Sequence, residues 1–174
     1  MGKMTFPKTS TMRAVSNTSP ISNLASIGRL SLMQRQFTEL FIPPAVQQEL
    51  LAHPDPAALS AIQAAIQEPW IRQAVPSDSR LLRLLLLSLH RGEAEAITLA
   101  ADLKTDLVII DEQEGRKLAV QAGLSVTGVL GILLRAKHSG HIPALAPEIK
   151  ALRDKAGFFI SPSLEAQVLS SAGE

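Results

Sequence analysis

Several acidic residues of this sequence lie at positions where the predicted local structure does not require an acid. Glu49, in AVQQELLA, borders the apolar face of a predicted helix in its last turn, where the helix dipole disfavours a carboxylate by roughly 0.3–1 kcal/mol. Asp111 follows the apolar run LVII, at the end of a predicted buried strand. In RGEAEAITLA, Glu93 shares an apolar stripe, whereas Glu95 should turn toward solvent and pair with Arg91. If these carboxylates gather in one pocket, the chemistry to consider is metal-assisted.

Each acid also has a structural explanation. Asp111 and Glu114 have the D-x-x-E spacing of a capping box, Glu93 lies in a first helical turn, and Glu49 fits a solvated surface. Two charges about 4 Å apart repel by roughly 4 kcal/mol at an effective dielectric of 20. If three of these acids share a pocket, they therefore need a cation or must hold protons. Spacing alone leaves open whether they converge.

The segment VSNTSPI contains a polar residue without a local function. It predicts a strand end followed by a helix, with Ser19 as the cap and Pro20 in the first turn. Asn17 then lies at the strand end and is not needed as a cap.

Composition limits the classes of function. The 174 residues include 46% hydrophobic and no cysteine residues, which fits a cytoplasmic protein and excludes disulfides and thiolate zinc sites. The 17 Lys and Arg nearly balance the 16 Asp and Glu, so a nucleic-acid partner is neither required nor excluded. Oxygen ligands without cysteine suit Mg²⁺ or Mn²⁺ better than Zn²⁺. No apolar run reaches the length of a membrane span.

Helices alternate with short apolar strands along the chain. Residues 1–11 are predicted to be a flexible tail, and 12–174 a single domain. Strands are predicted over 13–16, 41–42, 70–75, 107–110 and 124–126. Helices are predicted over 19–27, 30–37, 45–52, 56–67, 77–90, 92–103, 112–122, 128–137, 147–155 and 163–170, with 158–160 extended. This order predicts an α/β fold with a parallel sheet between two helical layers.

Five segments carry a family resemblance: VSNTSPISNLASIGRL, FIPPAVQQEL, LHRGEAEAITLA, LVIIDEQEGRKLA and VTGVLGILLRAKHSGHI. Together they resemble the PIN-domain superfamily, in particular its VapC-like toxin ribonuclease branch, long described as a domain of unknown function. The resemblance implies a three-layer α/β/α fold with about five parallel strands, and RNA cleavage by a metal-activated water.

The resemblance also implies a site for Mg²⁺ or Mn²⁺. The positions of the four usual acids fall on Asn17, Glu49, Glu93 and Asp111, with Thr18, Ser19 and Glu95 in supporting positions. Glu93 and Asp111 would bind the ion directly, and Glu49 and Asn17 would hold its waters. Most PIN domains carry Asp where this chain has Asn17, which removes one charge from the site.

Basic residues are candidates for contacts with the substrate. Arg116 and Lys117 lie one turn after Asp111, and a second cluster comprises Arg135, Lys137, His138 and His141. RNA binding through them should weaken with salt, although a solvated helix surface would look the same in sequence. The histidines are poor candidates for a zinc site because there is no cysteine.

Partners follow from the toxin resemblance and from one Leu-rich segment. A small antitoxin is expected to block the pocket, and LLRLLLLSLH, apolar on nearly every side of a helix, is expected to support a homodimer. The main alternative is a catalytically weakened PIN-like module that binds RNA or regulates, because Asn17 replaces Asp. A DNA-directed nuclease remains possible, whereas a receiver-like phosphoacceptor would need an acidic pair that VSNTS lacks.

Overall fold

Short apolar segments form the strands of a five-stranded parallel sheet in the computed structural model, which describes residues 12–174. The strands are β1 (Arg13–Ser16), β2 (Glu39–Ile42), β3 (Ile71–Gln73), β4 (Leu107–Ile109) and β5 (Val126–Thr127). Their order is β3-β2-β1-β4-β5, and every neighbouring pair is parallel. The predicted tail, 1–11, lies outside the described residues.

Ten helices, counted within that range, cover both faces of the sheet. They are α1 (Thr18–Ser26), α2 (Ser31–Gln36), α3 (Pro44–Leu51), α4 (Pro56–Gln67), α5 (Arg80–Leu85), α6 (Arg91–Leu103), α7 (Gln113–Gln121), α8 (Val129–His138), α9 (Ala146–Ala156) and α10 (Pro162–Ala172). Successive strand residues point to opposite faces. Ala14 and Ile109 pack with α1–α4 and α8–α10, whereas Val15 and Val108 pack with α5–α7. The predicted three-layer α/β fold is therefore confirmed.

The winding of the sheet reverses at β1, which pairs with β2 on one side and β4 on the other. Ser16 is in register with Ile109, and the N–H of Asn17 donates to the Ile109 carbonyl at 3.0 Å. The carboxyl ends of β1 and β4 therefore lie side by side. Such a reversal is where parallel α/β sheets usually form sites.

The Leu-rich segment differs from the prediction. Helix α5 is capped by the Ser79 hydroxyl and ends at Leu85, after which the chain continues in turns instead of a helix reaching His90. These turns let Leu85 and Leu89 pack into the same core cluster. The segment is also not buried all round: Leu84, Leu86 and Leu87 are exposed, Leu87 by 81%.

None of the helices within 12–174 is long and apolar enough to cross a membrane.

Candidate functional site

Asn17 lies at the junction of β1 and α1 and is almost fully buried. Its backbone is extended (φ −75°, ψ 176°) and occupies the N-cap position of α1, but its side chain makes no capping bond. Instead Nδ2 donates to Oε2 of Glu112 at 3.1 Å. The prediction of Ser19 as the cap was wrong, because its hydroxyl also donates to the Glu112 carboxylate, a stronger acceptor than a neutral group.

The two hydroxyls after Asn17 hold different acids. Thr18 Oγ1 donates to Glu49 on α3, while Ser19 Oγ donates to Glu112 at the start of α7. Three consecutive neutral side chains thus satisfy carboxylates that come from two separate helical regions. This explains why polar residues follow β1 although α1 does not need them as caps.

Glu93 lies buried in the first turn of α6, where it forms a capping box with His90. The His90 N–H donates to Glu93 Oε2 at 3.3 Å. Burial raises the pKa of Glu93, and the negative charges of Glu112 and Glu49 raise it further. Glu93 therefore lies within electrostatic reach of both other acids.

Two glycines leave the space that these acids occupy. A Cβ on Gly92 would lie 3.1 Å from Glu49 Oε1 and 3.2 Å from Asn17 Oδ1. A Cβ on Gly115 would lie 2.8 Å from Glu93 Oε1. The structure thus brings together Asn17, Glu49 and Glu93 with the polar residues that the sequence placed beside them.

The side chain of Asp111 makes contacts that the prediction of a direct metal ligand did not include. Its Oδ1 accepts from the Val129 N–H at 2.7 Å, so it caps α8, and its Oδ2 accepts from Asn23 Nδ2 at 3.2 Å. The alternative of a capping box with Glu114 on α7 is not formed, because Glu112 holds the N-cap position there. Burial raises the pKa of Asp111 to about 6, and the Glu112 charge contributes. Whether Asp111 binds metal stays a prediction.

The acid that contacts Asn17 is Glu112, which the sequence analysis missed. Successive side chains in extended chain point to opposite sides, so of two adjacent acids after β4 only one faces Asn17. The signal was present in the pair of acids in IIDE, but the sequence alone did not indicate which side each would take.

The expectation that Glu95 faces solvent was wrong, since it is only 5% exposed. Its pairing with Arg91 is confirmed at 2.7 Å between Arg91 Nε and Glu95 Oε1. The second oxygen accepts from the Ala45 N–H at 3.2 Å. Glu95 therefore binds the start of α3, which a hydrophobic pattern in α6 cannot reveal.

The predicted basic residues fall into two regions. Arg116 Nη1 donates to the Ile110 carbonyl at 2.8 Å beside the site, and exposed Lys117 lies 3.9 Å from Glu114. The second cluster is at the far end of α8, about 15 Å along the helix from Asp111. There Lys137 and His138 bind backbone carbonyls and not the site.

The donor set fits a hydrated Mg²⁺ or Mn²⁺. Within 12–174, no three Asp, Glu or His side chains are close enough to surround an ion by themselves. Mg²⁺, however, usually keeps several waters and takes one or two carboxylates. Glu49, Glu93 and Glu112 offer carboxylate oxygens, and none takes part in an ion pair among the described residues. Their charge is thus available to a cation.

Comparison with known proteins gives a family match and similarities to solved structures. The family described as DUF3368: PIN domain matches residues 13–174. A solved structure of a PilT N-terminus domain protein, SSO1118 from the hyperthermophilic archaeon Sulfolobus solfataricus P2, is 17% identical with a TM-score of 0.49. That similarity covers 72% of this chain and 93% of the other. No curated protein matches the sequence.

Gly92→Ala tests the space between Glu49 and Asn17. Alanine favours helix, and the neighbouring atoms are ends of side chains, so the melting temperature should not fall. The added methyl displaces those oxygens, so Mn²⁺ affinity measured by calorimetry should fall about tenfold or more. Ser60→Ala, on the exposed side of α4, is the control and should leave the affinity unchanged. Wild-type affinity in Gly92→Ala would mean that these oxygens do not border the ion.

Asp111→Asn tests the burial of the α8 cap. A pKa of about 6 in the folded protein, above the ordinary 3.8, means that the folded protein favours the protonated carboxyl more than the unfolded chain does. The contribution of this group to the free energy of unfolding is fully present below about pH 4. About 3 kcal/mol of it is lost as the pH rises through about 6. We therefore expect the free energy of unfolding of the variant, measured with urea in EDTA, to rise by about 3 kcal/mol relative to that of wild type between pH 4 and 7.

The control for this titration is Asp154→Asn, since Lys150 holds the pKa of Asp154 below its ordinary value. That variant should follow the wild-type pH dependence between pH 4 and 7. If Asp111→Asn also follows wild type across the range, the carboxyl does not titrate as its burial implies.

Proposed function

Because this chain belongs to the PIN domain family, whose members are typically nucleases that bind divalent metals, we propose that it is a Mg²⁺- or Mn²⁺-dependent ribonuclease. One observation carries the proposal. Glu49, Glu93 and Glu112 come from three different elements, meet at the carboxyl end of the sheet and form no ion pair in the described part of the chain. A bound cation would offset this repulsion, which otherwise favours protonation of one of the acids.

We propose that Glu93 and Glu112 would hold the ion, with Glu49 and Asn17 holding its waters. Glu112 takes the place that the sequence prediction gave to Asp111, because both Asp111 oxygens already accept hydrogen bonds from Val129 and Asn23. When bound, the ion supplies a water of lowered pKa for attack on phosphorus and neutralises charge on the phosphate oxygens. Thr18 orients Glu49 by donating its hydroxyl hydrogen. Burial first, and then the charges of Glu112 and Glu49, raise the pKa of Glu93, so a bound cation would favour its charged form.

The proposed substrate is RNA, which presents a phosphodiester backbone to these carboxylates. Lys117 is exposed on α7, just after Gly115, which borders Glu93. Arg116 already binds the Ile110 carbonyl through one nitrogen and has further N–H donors. Contacts of these two residues with phosphates would make binding weaken with salt.

The biological setting we propose is the toxin of a type II toxin–antitoxin pair, with a small antitoxin that covers the acidic pocket. We also propose a homodimer. The segment after Ser79 is the candidate interface, because Leu84, Leu86 and Leu87 are exposed and an interface there would remove their side chains from water. This segment leads directly into α6, which carries Glu93.

A second candidate, favoured by Asn17, is a catalytically weakened module that binds or regulates RNA. Asn17 removes one charge from the site, which lowers affinity for a metal. The same carboxamide, however, donates to Glu112. An aspartate there would repel Glu112, so Asn17 suits the arrangement of this chain, and the ribonuclease remains the first proposal.

Cleavage of labelled single-stranded RNA by the pure full-length protein tests the proposed function. Wild type should cleave with Mn²⁺ or Mg²⁺ and not in EDTA. Glu112→Gln should lower the rate by more than the 10- to 100-fold that loss of an outer partner of a metal site typically costs. Asp111→Asn should lower it by no more than about tenfold, because both Asp111 oxygens already bind Val129 and Asn23.

The same assay separates the alternatives. DNA of the same sequence distinguishes a ribonuclease from a DNA-directed nuclease. Asn17→Asp should change the rate by less than about tenfold, as expected of a site built around a neutral donor. Cleavage by Asn17→Asp alone, with inactive wild type, would favour the weakened module. If Glu112→Gln cleaves like wild type, the proposed assignment of ligands fails.

A further inference from the structure

We infer that Glu95 is a positioning residue, which caps α3 from α6 and thereby fixes the spacing between Glu49 and Glu93. This inference rests on the proposed function, since those two acids are among the residues proposed to hold the ion. Both Glu95 oxygens already accept hydrogen bonds, from Ala45 and Arg91, so Glu95 itself would not touch the ion. Its effect on the site would be exerted through α3.

Helix α3 begins without a cap of its own. Pro43 is its N-cap residue and Pro44 follows in the first turn, so neither supplies a side-chain acceptor or an N–H. Ala45 carries the first N–H of the helix, one of the donors that has no partner within a helix. Glu95 Oε2 accepts this N–H at 3.2 Å.

The carboxylate of Glu95 is well suited to this position. It is 5% exposed, and a negative charge is favourable at a helix N-terminus. Arg91, one turn earlier on α6, donates to its other oxygen at 2.7 Å. Both oxygens thus have donors, and Glu95 is held between α6 and the start of α3.

The consequence concerns the two acids that these helices carry. Glu49 is one turn after Ala45 on α3, and Glu93 is two residues before Glu95 on α6. The Glu95–Ala45 bond therefore ties together the helices that present them. The Glu49 charge already acts on Glu93, so a shift of α3 would change the distance that matters to a shared ion.

Glu95→Met and Glu95→Gln separate the capping bond from charge and volume. Both side chains are neutral and similar in size, but glutamine alone can accept from the Ala45 N–H. We expect Mn²⁺ affinity, measured by calorimetry on the full chain, to fall 10- to 100-fold in Glu95→Met and less than about tenfold in Glu95→Gln. Hydrogen exchange in metal-free protein should show the Ala45 amide losing protection in Glu95→Met alone.

Glu148 provides a matched control. It is also a buried carboxylate, 6% exposed, and on α9 it binds Arg29 of the turn between α1 and α2, with 2.6 Å between Glu148 Oε1 and Arg29 Nη2. Glu148→Met should therefore lower the melting temperature without changing Mn²⁺ affinity. Glu95→Asp is the second variant if Glu95→Met fails to fold. It keeps the charge but withdraws the carboxylate by one methylene, and it should also weaken Mn²⁺ binding.

The outcomes distinguish this inference from the function on which it rests. Wild type that binds Mn²⁺, together with Glu95→Met or Glu95→Asp that bind it equally well, would overturn the role of Glu95 alone. Equal loss in Glu95→Gln and Glu95→Met would do the same, because the capping bond would not matter. Wild type that binds no Mn²⁺ would overturn the proposed function and the inference with it.

Discussion

Negative charge gathered at the end of the sheet is the constraint on which the rest of this site depends. Three glutamates approach one another there without a lysine or arginine partner among the described residues. Neutral donors from the β1–α1 junction and space left by Gly92 and Gly115 make this arrangement possible. The reversal of the winding at β1 brings that junction beside the end of β4. The sheet topology therefore places the polar β1–α1 junction where the three glutamates gather.

Asn17 does more than remove the charge of the aspartate that most PIN domains carry at this position. Its carboxamide donates to Glu112 while its oxygen faces the space beside Gly92. A carboxylate at this position would repel Glu112, which the neighbouring Ser19 hydroxyl also holds. The neutral residue therefore lowers the electrostatic cost of assembling the acids before any ion arrives. We therefore expect Asn17 to lower metal affinity less than a simple count of charges implies.

The apolar runs allowed the order of strands and helices to be predicted, because a buried strand such as that of β4 needs apolar residues on both faces. Spacing also drew attention to Glu49 and Glu93, which the structure places within electrostatic reach of each other. It could not identify Glu112, because the turn after β4 decides which of two adjacent acids faces Asn17. Nor could it reveal the burial of Glu95, which depends on a proline-started helix 50 positions away in sequence. The orientation of Glu112 and the burial of Glu95 both depend on tertiary contacts.

The most direct test of the metal site is anomalous scattering at the manganese edge from crystals soaked in Mn²⁺. We expect one or more peaks bordered by Glu93 and Glu112, with Glu49 and Asn17 within reach of the bound waters. A peak between Asp111 and Asn23, or a well-diffracting soaked crystal with no peak near these acids, would contradict it.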